Sequence, residues 1–172
     1  GICSACKVFE QYNELSDEYW LKREKYFLQL IEGINKNNNS DYDCLIPVSG
    51  GKDSYFQAHL AKKYNLKCLF VTYHGNNYLP AGDANRDNMR HVFNGDHLVF
   101  GPSVETLIKL NRICFKKMGD MNWHAHCGIF TSPIKVAVKF NIPTIVWGEV
   151  EWDVSGMYSP EDYVEFSTRS RH

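Results

Sequence analysis

No apolar run in this chain approaches the ~20 residues that a bilayer-spanning helix requires. The longest, Cys44 to Val48 and Ile142 to Trp147, are strand-sized, and the N-terminus has no signal-peptide pattern. We therefore expect a soluble, cytoplasmic protein with no membrane partner. Charge of one sign is not in excess either: 19 Lys and Arg stand against 20 Asp and Glu, a net of -1. That balance removes the bulk attraction by which a basic protein draws polyanions, so no nucleic-acid partner is expected and any contact with phosphate must be local. Internal repeats and low-complexity tracts are absent too. What remains is 172 residues, 44% of them hydrophobic, about the length of one domain and enough to build its own core.

The six cysteines do not read as a disulfide framework. Cys44 and Cys68 sit in strand-like runs and Cys114 in a helical pattern, where free thiols behave as small hydrophobes. Cys3 and Cys6 form a C-x-x-C, which in a reducing compartment reads as half of a tetrahedral zinc site or as a redox pair. The terminus offers no strand-to-helix setting for redox chemistry, so zinc is favoured.

Ser16 is placed to cap a helix over 17–35, with Asp17 and Glu18 in its first turn and Trp20, Phe27, Leu30, Ile31 and Ile34 forming one buried stripe. Asn35 to Asp41 reads as a linker, which divides the chain into 1–40 and 41–172. Beyond it the pattern alternates. Strands are expected over 43–48, 67–72, 97–100 and 142–147, and helices over 54–64, 85–93, 103–118 and 132–140. Residues 75 to 82 read as a loop, and Ser132-Pro133 as the N-cap and first position of the last helix. Such alternation argues for a doubly wound parallel α/β sheet.

The first strand runs into Ser49-Gly50-Gly51-Lys52-Asp53-Ser54 at the start of a helix, which is where open α/β sheets bind ligands. Two adjacent glycines permit a tight turn with exposed N–H groups. The helix N-terminus adds partial positive charge and Lys52 a full one. The result is a phosphate cradle. It is not a Walker A loop, because Ile46 stands where that motif needs glycine and Asp53 where it needs Ser or Thr.

The hexapeptide SGGKDS after an apolar strand resembles the pyrophosphate loop of the PP-loop ATPases, which split ATP between the α and β phosphates. Further stretches narrow the resemblance: Cys3-Ser-Ala-Cys6, Asn85-Arg86-Asp87-Asn88, Leu110-Asn111-Arg112 through Gly119-Asp120, His124 to Phe130, and Ile142-Pro143 through Trp147-Gly148-Glu149. Together they resemble the N-acetyl sugar amidotransferases of surface-polysaccharide and flagellar-sugar biosynthesis. That likeness implies ATP and Mg2+, a structural Zn2+ and an N-acetylated nucleotide sugar as substrate. It also implies partner proteins, similar to a glutaminase and cyclase pair, that supply ammonia. In the implied site Ser49, Gly50, Gly51, Lys52, Asp53, Ser54, Thr72 and Gly148 surround ATP. Lys52, Asp53 and Glu149 are catalytic, with Asp53 on magnesium, and Asn85, Asn88, His124 and His126 touch substrate. Family members carry an earlier Cys pair and a longer C-terminal portion, so the resemblance presents this chain as a segment of a longer protein and Cys3 and Cys6 as a partial zinc site.

Each residue has a plainer reading. Asn85 and Asn88 are also helix caps, His124 and His126 metal ligands or loop histidines, and Glu149 a surface acid at a strand end. Trp123, Trp147 and Trp152 form a sugar platform or core packing, and the carboxylates from Glu151 to Glu165 an acidic lid. Cys127 has no evident partner base, which argues against a nucleophile. Two rivals to sugar amidation share the loop: a tRNA-thiolating enzyme, disfavoured by the balanced charge, and a non-catalytic nucleotide-binding module.

Overall fold

The computed structural model describes residues 1–36, 40–75 and 79–148. These fall in two compact units, Gly1–Leu30 and Ile31–Gly148. Among the described residues no helix is long and apolar enough to cross a membrane.

The first unit holds helix α1, Ser4–Asn13, and most of α2, Asp17–Lys36. Ser16 caps α2 as expected, its Oγ accepting from the Tyr19 amide at 3.2 Å. α1 was not foreseen, because Val8 is its only buried residue and one apolar position sets no helical period. The expected buried stripe of α2 is also corrected. Trp20, Phe27 and Leu30 are exposed, and only the last members of the stripe, Ile31 and Ile34, belong to the second unit and meet its core.

That unit is built on a parallel sheet of β1 (Cys44–Pro47), β2 (Cys68–Tyr73) and β3 (Asp96–Phe100), in that order. Cys44 lies opposite Cys68, and Phe70 opposite His97. On the other side of β1, Ile145 bridges Leu45 in parallel, with Leu45 donating to the Thr144 carbonyl and Val146 to the Leu45 carbonyl, both at 2.9 Å. The chain after α6 thus lies beside the first strand, and the order reverses there.

Side-chain alternation along the strands sorts two cores. Ile46, Val48 and Phe70 face Ala58 and Ala61 of α3 (Lys52–Lys63) and Met89 of α4 (Pro80–Phe93). Leu45, Leu69 and Val71 face Ala137 of α6 (Trp123–Lys139). Helices on both faces make the sheet doubly wound, as the alternating pattern predicts. Cys44, Cys68 and Cys114 are buried free thiols, in keeping with their apolar settings.

Two helix starts differ from expectation. α4 begins at Pro80, inside the stretch read as a loop, because proline fits a first helical turn, where its missing N–H has no intrahelical acceptor. By the same logic Ser132-Pro133 looks like a start, yet α6 begins at Trp123 and carries Pro133 in its interior. Pro133 is fully buried. A proline there forfeits one backbone bond, and the packing of the helix against the sheet outweighs that loss. α5, Val104–Met118, is capped by Ser103 as its sequence suggests.

Candidate functional site

The loop between β1 and α3 leaves the sheet at Val48, whose amide donates to the Val71 carbonyl at 2.9 Å. Ser54 then ties the turn back on itself. Its buried hydroxyl accepts from the Ser49 amide at 3.0 Å and lies 3.4 Å from the Ser49 hydroxyl. Ser49 Oγ in turn accepts from the Gly51 amide at 3.3 Å. Both serines therefore shape the loop through hydrogen bonds of their hydroxyls to its own backbone.

Gly50 has φ 85°, and a Cβ there would stand 2.8 Å from the Arg86 nitrogen of α4. The position needs glycine for conformation and for space. Gly51 caps α3 with no side-chain hydrogen bond, so the first turn of α3 is left for an anion, the partner that helix N-termini favour. At its mouth Lys52 Nζ lies 2.7 Å from Asp53 Oδ1, both side chains being largely exposed. An exposed pair of this kind holds its partners with only about 0–1 kcal/mol, so a phosphate can take the ammonium and a cation the carboxylate. These residues fit a magnesium-bound polyphosphate.

Beside α3 and the loop runs the stretch bridged to β1. Gln57 of α3, buried, donates from Nε2 to the Val146 carbonyl at 3.1 Å, and a Cβ on Gly148 would fall 2.6 Å from Gln57 Oε1. Gly148 is thus a close-approach glycine. The structure brings it to the same edge as the phosphate loop, while Glu149, Trp152 and the carboxylates from Glu151 onward lie outside the described residues. Gln57 was not among the expected site residues. Its signal was a polar side chain on the inner stripe of α3 with Ser54, Ala58 and Ala61.

Thr72, expected near ATP, has its hydroxyl committed elsewhere. It donates to the Val48 carbonyl at 2.5 Å and meets His97 Nε2 at 2.9 Å. Asn85 and Asn88 do not cap α4, which starts earlier. Tyr55 of α3 donates to the Asn85 carbonyl at 2.8 Å and accepts from Asn88 Nδ2 at 3.2 Å. The pair docks α4 onto α3. Between them Arg86 is buried and pairs with Asp83 at 3.0 Å.

His124 and His126 occupy α6, not a loop, and two helical residues are about 200° apart. His124 is buried, its Nε2 2.6 Å from Asn111 Oδ1 of α5. His126 is exposed, 3.9 Å from Asp120. The structure therefore separates the two. Trp147 packs on Phe130 with ring centroids 5.4 Å apart, and Trp123 is exposed.

In the first unit Cys3 is the N-cap of α1. Its sulfur accepts from the Cys6 amide at 3.4 Å and lies 3.3 Å from Cys6 Sγ. The amide bond holds Cys3 below the usual thiol value, and the hydrogen bond and negative charge of Cys3 push Cys6 up. Of the two thiols Cys3 is the more acidic. Among the described residues no third His, Cys, Asp or Glu joins them in a metal-sized group.

His97 was also missed, since one polar residue in a short strand carries no signal of its own. Burial, aided by Arg86 and Arg90 and opposed by Asp87, lowers its pKa from 6.5 to about 4. Between those values the unfolded chain holds a proton that the folded one does not, so this contribution to stability is present above pH 6.5 and lost as pH falls toward 4. Thermal melts between pH 7 and 4.5 should accordingly show a smaller loss of Tm in His97→Gln than in the wild type. Equal losses would show that His97 does not titrate as placed.

No protein-family model matches the chain, and no curated protein matches it in sequence. Among solved structures, the NH3-dependent NAD synthetase from Campylobacter jejuni subsp. jejuni NCTC 11168, in complex with the nitrate ion, superposes with a TM-score of 0.56 at 15% identity. The match covers 78% of this chain and 58% of that enzyme. The U34-tRNA thiolase NcsA from Methanococcus maripaludis with its [4Fe-4S] cluster gives 0.48 at 16% identity, over 86% of this chain and 52% of that one, a likeness below what supports an argument. The chain thus spans a little over half the length of the synthetase it resembles. Its parallel sheet and crossover order are those of the PP-loop, HUP-type α/β fold.

Proposed function

We propose that this chain is the ATP-binding part of an amidotransferase that converts the acetamido group of an N-acetylated nucleotide sugar into an acetamidino group. The observation that carries the nucleotide half of this reading is the phosphate cradle: an α3 N-terminus with no side-chain cap, Gly50 at positive φ, and Lys52 beside Asp53 at the point where strand order reverses. The sugar half rests on the sequence resemblance. An amide carbonyl is a poor electrophile. Its oxygen attacks the α-phosphorus of ATP and pyrophosphate departs; ammonia then adds to the imidate carbon and AMP leaves with the oxygen. Lys52 and the first-turn amides of α3 stabilise the charge that develops on the pyrophosphate, Asp53 would hold magnesium, and Glu149 is the third proposed catalytic residue. Similarity to an ammonia-dependent synthetase agrees with ammonia as the nitrogen donor.

The test is ATP–pyrophosphate exchange by the full-length protein, with and without an N-acetylated nucleotide sugar. Exchange that requires the sugar supports adenylation of the acetamido oxygen. Sugar-independent binding without exchange would leave a nucleotide-binding module and overturn the enzyme. The described residues from 41 onward are committed to one nucleotide-binding sheet and its helices, with no Cys–His pair built for glutamine hydrolysis among them. Ammonium should therefore support amidine formation and glutamine should not, unless a glutaminase partner is added. Glutamine-driven turnover by the purified protein would refute that division of labour.

Cys3 and Cys6 are proposed to give two thiolates to a structural zinc whose remaining ligands come from outside the described residues, with Zn–S near ~2.3 Å. Metal analysis of the full-length protein should find zinc that is lost in Cys3→Ser. A metal-free protein, or a Cys3–Cys6 disulfide, would exclude it.

A further inference from the structure

We propose that His97 is a positioning residue for the phosphate loop, acting through the Thr72 hydroxyl on the carbonyl at which the loop leaves the sheet. His97 on β3 and Thr72 on β2 lie on the sheet face that carries Phe70, and the imidazole packs edge-on to the Phe70 ring with centroids 6.3 Å apart. Thr72 has one proton, which it donates to the Val48 carbonyl. Its contact with His97 Nε2 at 2.9 Å must then be an accepted bond, so Nε2 carries the hydrogen. The chain of bonds runs in one direction, from imidazole N–H to hydroxyl to carbonyl. That order fixes the tautomer.

Val48 is the last residue before Ser49 and Gly50. Its amide is tied to Val71 and its carbonyl to Thr72, so the direction in which the chain enters the loop is set at both ends of this residue. A valine at position 72 would keep the shape and lose the second tie. A threonine hydroxyl left without its second partner can also rotate away from the carbonyl, and the imidazole donor removes that freedom. α4 supplies the charged neighbours of His97. Arg86 and Arg90 oppose its protonation and Asp87 favours it, and the backbone of Arg86 is also the surface against which Gly50 turns. The loop is thus seated between α4 and a hydrogen-bonded relay that begins at the far strand of the sheet.

The inference uses the nucleotide reading only for its consequence, and its first readout does not depend on that reading. Hydrogen exchange of the Ser49 and Gly51 amides is measured in the full-length protein without nucleotide, for His97→Leu, His97→Gln, Thr72→Val and the double variant Thr72→Val/His97→Leu. Leucine keeps bulk against Phe70 and loses the donor; glutamine keeps a donor. Loss of one hydrogen bond corresponds to about fivefold faster exchange. We expect that acceleration in His97→Leu and in Thr72→Val, near-wild-type exchange in His97→Gln, and no further acceleration when His97→Leu is added to Thr72→Val. Affinity for Mg-ATP should weaken by a similar factor in the same variants. Unchanged loop exchange in His97→Leu, or effects that multiply in the double variant, would overturn the relay. If His97→Leu does not fold, Thr72→Val and His97→Gln decide alone: acceleration in the first with retention in the second supports it, and any other pattern refutes it. Variants that follow this exchange pattern, with no affinity for Mg-ATP in the wild type, would keep the relay and remove the nucleotide reading.

Discussion

Gly50→Ala should abolish most pyrophosphate exchange and lower Tm by on the order of 10 °C, whereas Gly51→Ala, one residue on, should do neither. At Gly50 two costs combine. Its φ of 85° lies where an L-residue loses about 1–2 kcal/mol, and the new Cβ meets the Arg86 nitrogen at 2.8 Å and its Cα at 2.9 Å. Those are backbone atoms of a packed helix, which cannot swing aside as a side-chain tip can, and overpacking of this kind costs a further ~1–3 kcal/mol. For a chain of this size each kcal/mol is worth about 2–4 °C. Gly51 has φ -78° and ψ 175°, ordinary extended backbone, and a Cβ there meets only the Ser49 hydroxyl at an ordinary 3.4 Å. Its replacement should cost less than ~1 kcal/mol. Thermal melts and exchange rates on the two variants check the contrast, and equal tolerance at both positions would show that α4 is not seated on the loop.

The contrast between adjacent glycines shows where sequence reasoning reaches its limit. That a strand ends near Val48 and a helix follows was legible, because the apolar run from Cys44 to Val48 is followed by Ser49 and two glycines, and the chain can do little else with such a run. Which glycine is indispensable was not, since the answer lies in Arg86, thirty-odd residues away. Local chemistry misled in two places. Pro133 carries a strong local preference for a helix start, and the packing of α6 on the sheet overrode it. Asn85 and Asn88 are cap-forming residues by type, but both lie inside α4, where the Asn88 side chain and the Asn85 backbone carbonyl meet Tyr55 of the neighbouring helix. Gln57 and His97 illustrate a further limit. Each is a polar residue on an inner face with no motif around it, and only tertiary structure shows that one holds Val146 and the other Thr72.

Lys52→Ala should leave the fold intact and reduce pyrophosphate exchange by roughly 10- to 150-fold. The fold has little stake in the ammonium: the side chain is 89% exposed and pairs with Asp53, a surface contact of little weight. Bound to a departing pyrophosphate, the same group makes a charge-assisted hydrogen bond worth about 1.5–3 kcal/mol, and the predicted loss is that energy expressed as a rate. Asp53→Asn supplies the complementary measurement. It releases Lys52 from its partner while removing a ligand for magnesium, so activity should fall and the magnesium concentration for half-maximal exchange should rise. In Lys52→Ala that concentration should stay near the wild-type value. Full exchange by a well-folded Lys52→Ala protein would show that the pyrophosphate lies elsewhere, and a magnesium requirement unchanged in Asp53→Asn would remove the carboxylate from the metal.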